Sequence, residues 1–114
     1  MSAAALKDRL RADLKNAMQA KASDEVRVLR TLIAALDNAE AVPGGDGPYV
    51  ARAFGDPAGE VTRRELDAEA IDAVLAAEVE SRLAAAADYE RHHRIDDSAR
   101  LRDEVELIAR YRHT

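Results

Sequence analysis

The residues with spacing suited to chemistry are acid–base pairs four positions apart: Glu78 with Arg82, Arg100 with Glu104, Arg102 with Glu106, and Glu106 with Arg110. On a helix that spacing places both side chains on one face, which suits an ion pair. Exposed pairs of this kind contribute only ~0.3–0.5 kcal/mol each, so most of them read as solvated helix faces. Two charged positions stand out because they interrupt apolar runs. Glu78 falls between Leu75 and Val79, and Arg30 falls between Leu29 and Leu32-Ile33. Drawn inward, either would need a partner. The expectation is a partly buried polar contact between Arg30 and Glu78 that fixes how two parts of the molecule dock.

Other constellations are weaker. His92, His93 and His113 are the only imidazoles, and neighbouring residues on a helix point ~100° apart, a poor arrangement for sharing one metal. Ser2, Ser23, Ser81 and Ser98 are the only serines, and none lies in a glycine-rich elbow beside a base, so acyl transfer has no visible nucleophile. Cysteine is absent, which removes thiol chemistry, disulfides and zinc-thiolate sites. No glycine loop leads into a Lys-Ser or Lys-Thr helix start, so nothing cradles a phosphate. The sequence therefore calls for no cofactor and no metal, and independent catalytic activity is not expected.

At 114 residues the chain suits one small soluble domain with an ordinary apolar core. Met1–Leu6 is short and followed at once by Lys7, Asp8 and Arg9, so no signal peptide is expected. Together with the lack of cysteine this fits a cytoplasmic protein. No apolar run approaches the ~20 residues that span a bilayer. The formal net charge of −5 is uneven: residues 1–41 carry +1, residues 42–65 carry −1, and residues 66–114 carry −5. An acidic second half is a poor surface for phosphate. Arg9, Arg11, Lys15, Arg91 and Arg94 form a basic patch only if folding brings them together.

The elements that must position these residues are helical. Leu6, Leu10, Leu14 and Met18, with Ala17, give one apolar stripe over about Ala3–Ala20, which leaves Lys7 on another face. After a Ser23 or Asp24 cap, Val26, Leu29, Leu32, Ile33 and Leu36 give a second stripe that runs to about Ala41, before Pro43 and Gly44. Residues 42–65 are dense in glycine and proline and read as a long irregular loop. Tyr49 and Phe54 in that loop patch the helix pair or dock a partner, unless the loop is simply disordered. A third helix starts at a Thr62 capping box or an Asp67 cap, and buries Ile71, Val74, Leu75, Val79, Leu83, Ala86 and Ala87. A turn near His92–Asp97 leads to a fourth helix, capped by Asp96, Asp97 or Ser98, with Leu101, Val105, Ile108 and Tyr111 inside. Short connections imply antiparallel partners. The expected fold is all-α: two antiparallel helical hairpins packed as a four-helix domain.

Four segments of this pattern, in order, resemble the GatB/YqeY family. They are Leu10-Arg11-Ala12-Asp13-Leu14-Lys15; Val28 to Leu36 with Asn38-Ala39-Glu40; Glu78-Val79-Glu80-Ser81-Arg82 with Tyr89-Glu90-Arg91; and Ala99 to Glu104, closing on Tyr111. Thr62 to Leu66 adds a fifth stretch. The resemblance implies a small helical protein similar to the helical appendage of the B subunit of the aspartyl/glutamyl-tRNA amidotransferase. That enzyme is a glutamine-dependent carbon–nitrogen ligase whose chemistry resides in other domains. The implied role is an accessory one, with tRNA or a translation-related protein as partner. The resemblance marks Arg30, Asn38, Glu40, Glu78, Arg82, Tyr89 and Glu104 as structural or interaction positions.

Two departures from the family pattern shape the expectation. Longer members continue past the position of Tyr111 into a second helical subdomain associated with tRNA contact, so direct tRNA binding is expected to be weak here. His93 stands where members often carry glycine, which makes a left-handed helix cap costlier. Two functions follow from the sequence. One is a non-catalytic accessory module linked to tRNA amidation or translation. The other is a protein-interaction or oligomerisation module with no nucleic-acid role.

Overall fold

The computed structural model describes residues 2–41 and 64–112, and these form four helices and no strand. The helices are α1 (Ala3–Gln19), α2 (Ser23–Ala41), α3 (Ala68–Arg91) and α4 (Ile95–Arg112). The strongest packing is within the pairs α1–α2 and α3–α4. Both pairs are antiparallel: Lys7, near the start of α1, meets Asp37 and Glu40 near the end of α2, and Asp72 on α3 meets Arg112 at the end of α4. The expected pair of hairpins is therefore the fold. None of the helices is long and apolar enough to cross a membrane. Tyr49, Phe54 and Thr62 lie outside the described residues.

Of the expected caps, Asp67 is made at α3, whereas α2 and α4 start differently. At α1, the Ser2 hydroxyl accepts from the Ala5 N–H at 3.0 Å. In α2, Ser23 is already helical and the Val26 N–H donates to the Ala22 carbonyl, so Ser23 and Asp24 do not cap. Asp24 and Glu25 instead lie in the first turn, where the helix dipole favours negative charge. Asp67 caps α3, its carboxylate accepting from the Ala70 N–H at 2.7 Å. Leu66 before that cap and Ile71 in the next turn are both buried, the arrangement of a hydrophobic staple. At α4, the Ser98 N–H donates to the Arg94 carbonyl, so Arg94 is the boundary residue and Asp96 and Asp97 sit inside the first turn.

Both hairpin turns end a helix in the same way. Lys21 has φ 56° and His93 has φ 60°, the left-handed region that non-glycine residues avoid. After α1, the Lys21 N–H donates to the Met18 carbonyl and the Ala22 N–H to the Ala17 carbonyl. After α3, the His93 N–H donates to Glu90 and the Arg94 N–H to Tyr89. This paired bonding is the Schellman motif, which satisfies carbonyls that the helix end would otherwise leave open. The cap expected to be costly at His93 is made all the same.

The core gathers Leu6, Leu10, Val28, Leu29, Leu32, Leu36, Leu75 and Ile108, each almost fully buried. The apolar stripes hold, except at two ends. Met18 is 51% exposed and Leu83 is 39% exposed. Residues four apart advance about 40° around a helix, so after three such steps the stripe has turned about 120° from where it began. Met18 is three steps from Leu6, and Leu83 is three steps from Ile71. Ala17 and Arg82 are core-facing positions late in these helices, each eleven residues after the stripe's first member, a spacing that returns to within about 20°. Ala17 is buried and the Arg82 side chain is 14% exposed.

Candidate functional site

Arg82 reaches inward because the fold supplies it with carboxylates. Its Nε donates to Glu104 Oε1 at 2.9 Å, and its Nη1 donates to Glu78 Oε1 at 2.9 Å and to the Glu78 carbonyl at 3.2 Å. Glu104 on α4 has a side chain only 7% exposed, and its second oxygen accepts from Arg27 Nη2 on α2 at 2.7 Å. One buried carboxylate thus holds guanidinium groups from α2 and α3, and the network spans both hairpins. The Glu104 hydrogen bond also raises the Arg27 pKa above its ordinary value.

This network corrects several expectations. Glu78 and Arg82 do form the pair that their spacing predicts, but Arg30 takes no part. Arg30 is exposed, and its Nη2 lies 3.9 Å from the Met18 sulfur. The ion pair between the hairpins is made by Arg27 and Glu104 instead. Arg100, expected to pair with Glu104, lies 3.7 Å from Asp97 on its own helix. Arg102, expected beside Glu106, forms a bidentate pair with Glu90 across the α3–α4 hairpin, with both bonds at 2.9 Å. Ser98, expected as a cap, is buried and donates to the same Glu90 carboxylate at 2.6 Å. These bonds lower the Glu90 pKa to about 2, Arg102 being the larger cause and Ser98 the next.

The second inward cation is Lys7, which the stripe pattern placed on another face. Its ammonium bonds Glu40 and also Asp37, the latter at 2.9 Å, and its side chain is 11% exposed. The hydrogen bonds to Glu40 and then Asp37 raise its pKa above the ordinary lysine value. Glu40 also anchors the chain entering α3, because its carbonyl accepts from the Arg64 N–H. Asn38 is exposed on α2. Near the end of α4, the buried Tyr111 hydroxyl donates to Asp13 Oδ2 at 2.5 Å, and the Arg9 guanidinium lies 4.7 Å above its ring. Burial, and then the Asp13 bond, push the Tyr111 pKa up.

Among the described residues, no buried side-chain nitrogen or oxygen lacks a hydrogen-bond partner. No group of three or more His, Asp or Glu in that set is arranged to hold a metal ion. The inward ionisable groups are joined to groups on neighbouring helices, and their arrangement is suited to docking helices.

Among the described residues, two of the surface grooves differ in charge. One, of about 520 Å³, runs between the start of α2 and α4, where carboxylates such as Asp24, Glu25, Asp103 and Glu106 outnumber Arg100 and Arg110 above Val28 and Leu107. The other, of about 630 Å³, lies between the end of α1 and α2, where Lys21, Arg27 and Arg30 surround Met18 and Val26. The five basic candidates do not converge. Arg9 lies over Tyr111 near the end of α4, whereas Arg91 and Arg94 flank the turn before its start. Ile95 to Tyr111 spans about 24 Å of helix at 1.5 Å per residue. Carboxylates within one turn accompany three of them: Arg11 pairs with Asp8, Arg91 with Asp88, and Arg94 with Asp97. Arg94 also stacks 5.1 Å above Tyr89. Lys15 is exposed on α1.

Against known proteins, no family model matches this chain, and no curated protein matches it significantly.

Proposed function

We propose that this chain is a non-catalytic helical accessory module of the kind the GatB/YqeY resemblance implies, serving tRNA amidation or translation through contact with protein. The observation that carries this reading is the Glu104 network. Glu78, Arg82 and Glu104 lie in the segments that carry the resemblance, and their role here is to dock helices. Motif residues engaged in this way support an accessory role in which any chemistry belongs to a partner. A second reading, an interaction module with no nucleic-acid role, is favoured by the separation of the basic candidates and by the carboxylates beside Arg11, Arg91 and Arg94. The two readings share protein contact and differ in the partner's business.

Affinity purification of the tagged chain from its native cell, with and without nuclease, separates them. The proposal expects proteins of aminoacyl-tRNA metabolism or translation to be recovered equally under both conditions. Recovery of other proteins only would favour the second reading. Loss of all partners after nuclease treatment would contradict protein contact.

A further inference from the structure

The groove between the end of α1 and the outer face of α2 differs in charge from the acidic groove along α4. In a chain of net charge −5, Lys21, Arg27 and Arg30 line it, and the carboxylates beside it, Asp24 and Glu104, are paired with Arg27. Its floor is apolar: Met18 is 51% exposed, and Val26 is partly buried against the core. The guanidinium of Arg30 lies across that floor, 3.9 Å from the Met18 sulfur. Arg27 is steadied by Glu104 and by Asp24, which fixes one cation at the rim. Lys21 is held at the lip by the left-handed cap after α1. A flexible, polarisable methionine ringed by cations is a surface that adapts to an apolar side chain and selects an acidic surround.

We propose that this groove docks an acidic amphipathic helix of a partner protein. This rests on the reading of the chain as a protein-contact module, and it names the surface and the chemistry of the partner. The helix would lay apolar residues spaced three and four apart onto Met18 and Val26, with Asp or Glu towards Lys21, Arg27 and Arg30. A polynucleotide suits the place less well. Its phosphates find no match in the methionine and valine floor.

The test selects binders to the full chain from a displayed library of random-sequence helical peptides. Enriched peptides are expected to be acidic, with apolar residues at helical spacing. A fluorescent peptide of the enriched sequence should lose roughly tenfold in affinity for Arg30→Glu, about 1.4 kcal/mol, and also weaken for Met18→Ser. Lys21→Gly should weaken binding while raising the thermal midpoint, which separates lost contact from lost fold. Circular dichroism checks that each variant remains helical. Absence of acidic enrichment, or affinities indifferent to Arg30→Glu and Met18→Ser, would overturn the proposal. So would binding of a random single-stranded RNA probe that depends on Arg30 while acidic peptides do not bind. If Arg30→Glu recovers the same cellular partners as the unaltered chain, the groove assignment fails and the module reading stands. If the unaltered chain recovers none, the module reading fails.

Discussion

Glu104 is the residue on which both hairpins meet. A carboxylate this buried is costly unless its oxygens are occupied, and here each oxygen accepts from a different guanidinium. Removing Arg82 would leave that charge with only Arg27, whose side chain is half exposed. Arg82→Ala is therefore expected to cost about 3 kcal/mol, near the lower end for breaking a buried pair. Glu104→Ala should cost a comparable amount, and the double variant should fall short of the sum by at least ~1 kcal/mol. Urea unfolding of the four proteins measures the cycle, and strict additivity would mean that the two side chains do not act together. The pairing of Glu78 with Arg82 was legible from spacing. The place of Glu104 was only partly so: it stands four before Ile108 and seven before Tyr111, which is core register, yet residue type argued for solvent. Arg27 could not be foreseen, because its partner lies 77 positions away and only the packing of α2 on α4 brings them together. Lys7 was misplaced for the same reason, since Asp37 and Glu40 make an inward lysine tolerable and both belong to another helix.

At the scale of the element, four helices were readable because each carries an apolar stripe and the connections are short. The boundaries were less readable where tertiary packing chose among neighbouring polar residues. Asp96, Asp97 and Ser98 are all acceptable caps by type, but the Schellman turn at His93 brings the chain back into helix by Ile95. That turn places a histidine where the backbone favours glycine. His93→Gly should relieve about 1 kcal/mol of left-handed strain and raise the thermal midpoint by roughly 4 °C. His93→Val, β-branched in the same conformation, should lower it. Thermal unfolding by circular dichroism reads both, and a midpoint unchanged or lowered by glycine would show that the His92–His93 turn is held by something other than its backbone.

Over the whole molecule, charge is distributed in a way that bears on partners. The acidic groove along α4, the carboxylates beside Arg11, Arg91 and Arg94, and the ~24 Å of α4 separating Arg9 from Arg94 all work against a continuous path for phosphate. The sequence showed the acidic excess but not the separation, which depends on how the hairpins dock. The measurement that bears most directly on protein contact rather than RNA contact is a filter-binding titration of tRNA at low salt and near 0.15 M. A variant with Arg9, Arg11 and Lys15 changed to alanine is titrated alongside. Binding at physiological salt should be no tighter than the non-specific range of about 10⁻⁴ to 10⁻⁶ M. Any low-salt affinity should fall with a slope of roughly −0.7 to −0.9 per phosphate contacted, and should diminish in the triple variant. Tight tRNA binding that persists near 0.15 M salt would contradict the assignment and make this chain an RNA-contacting module.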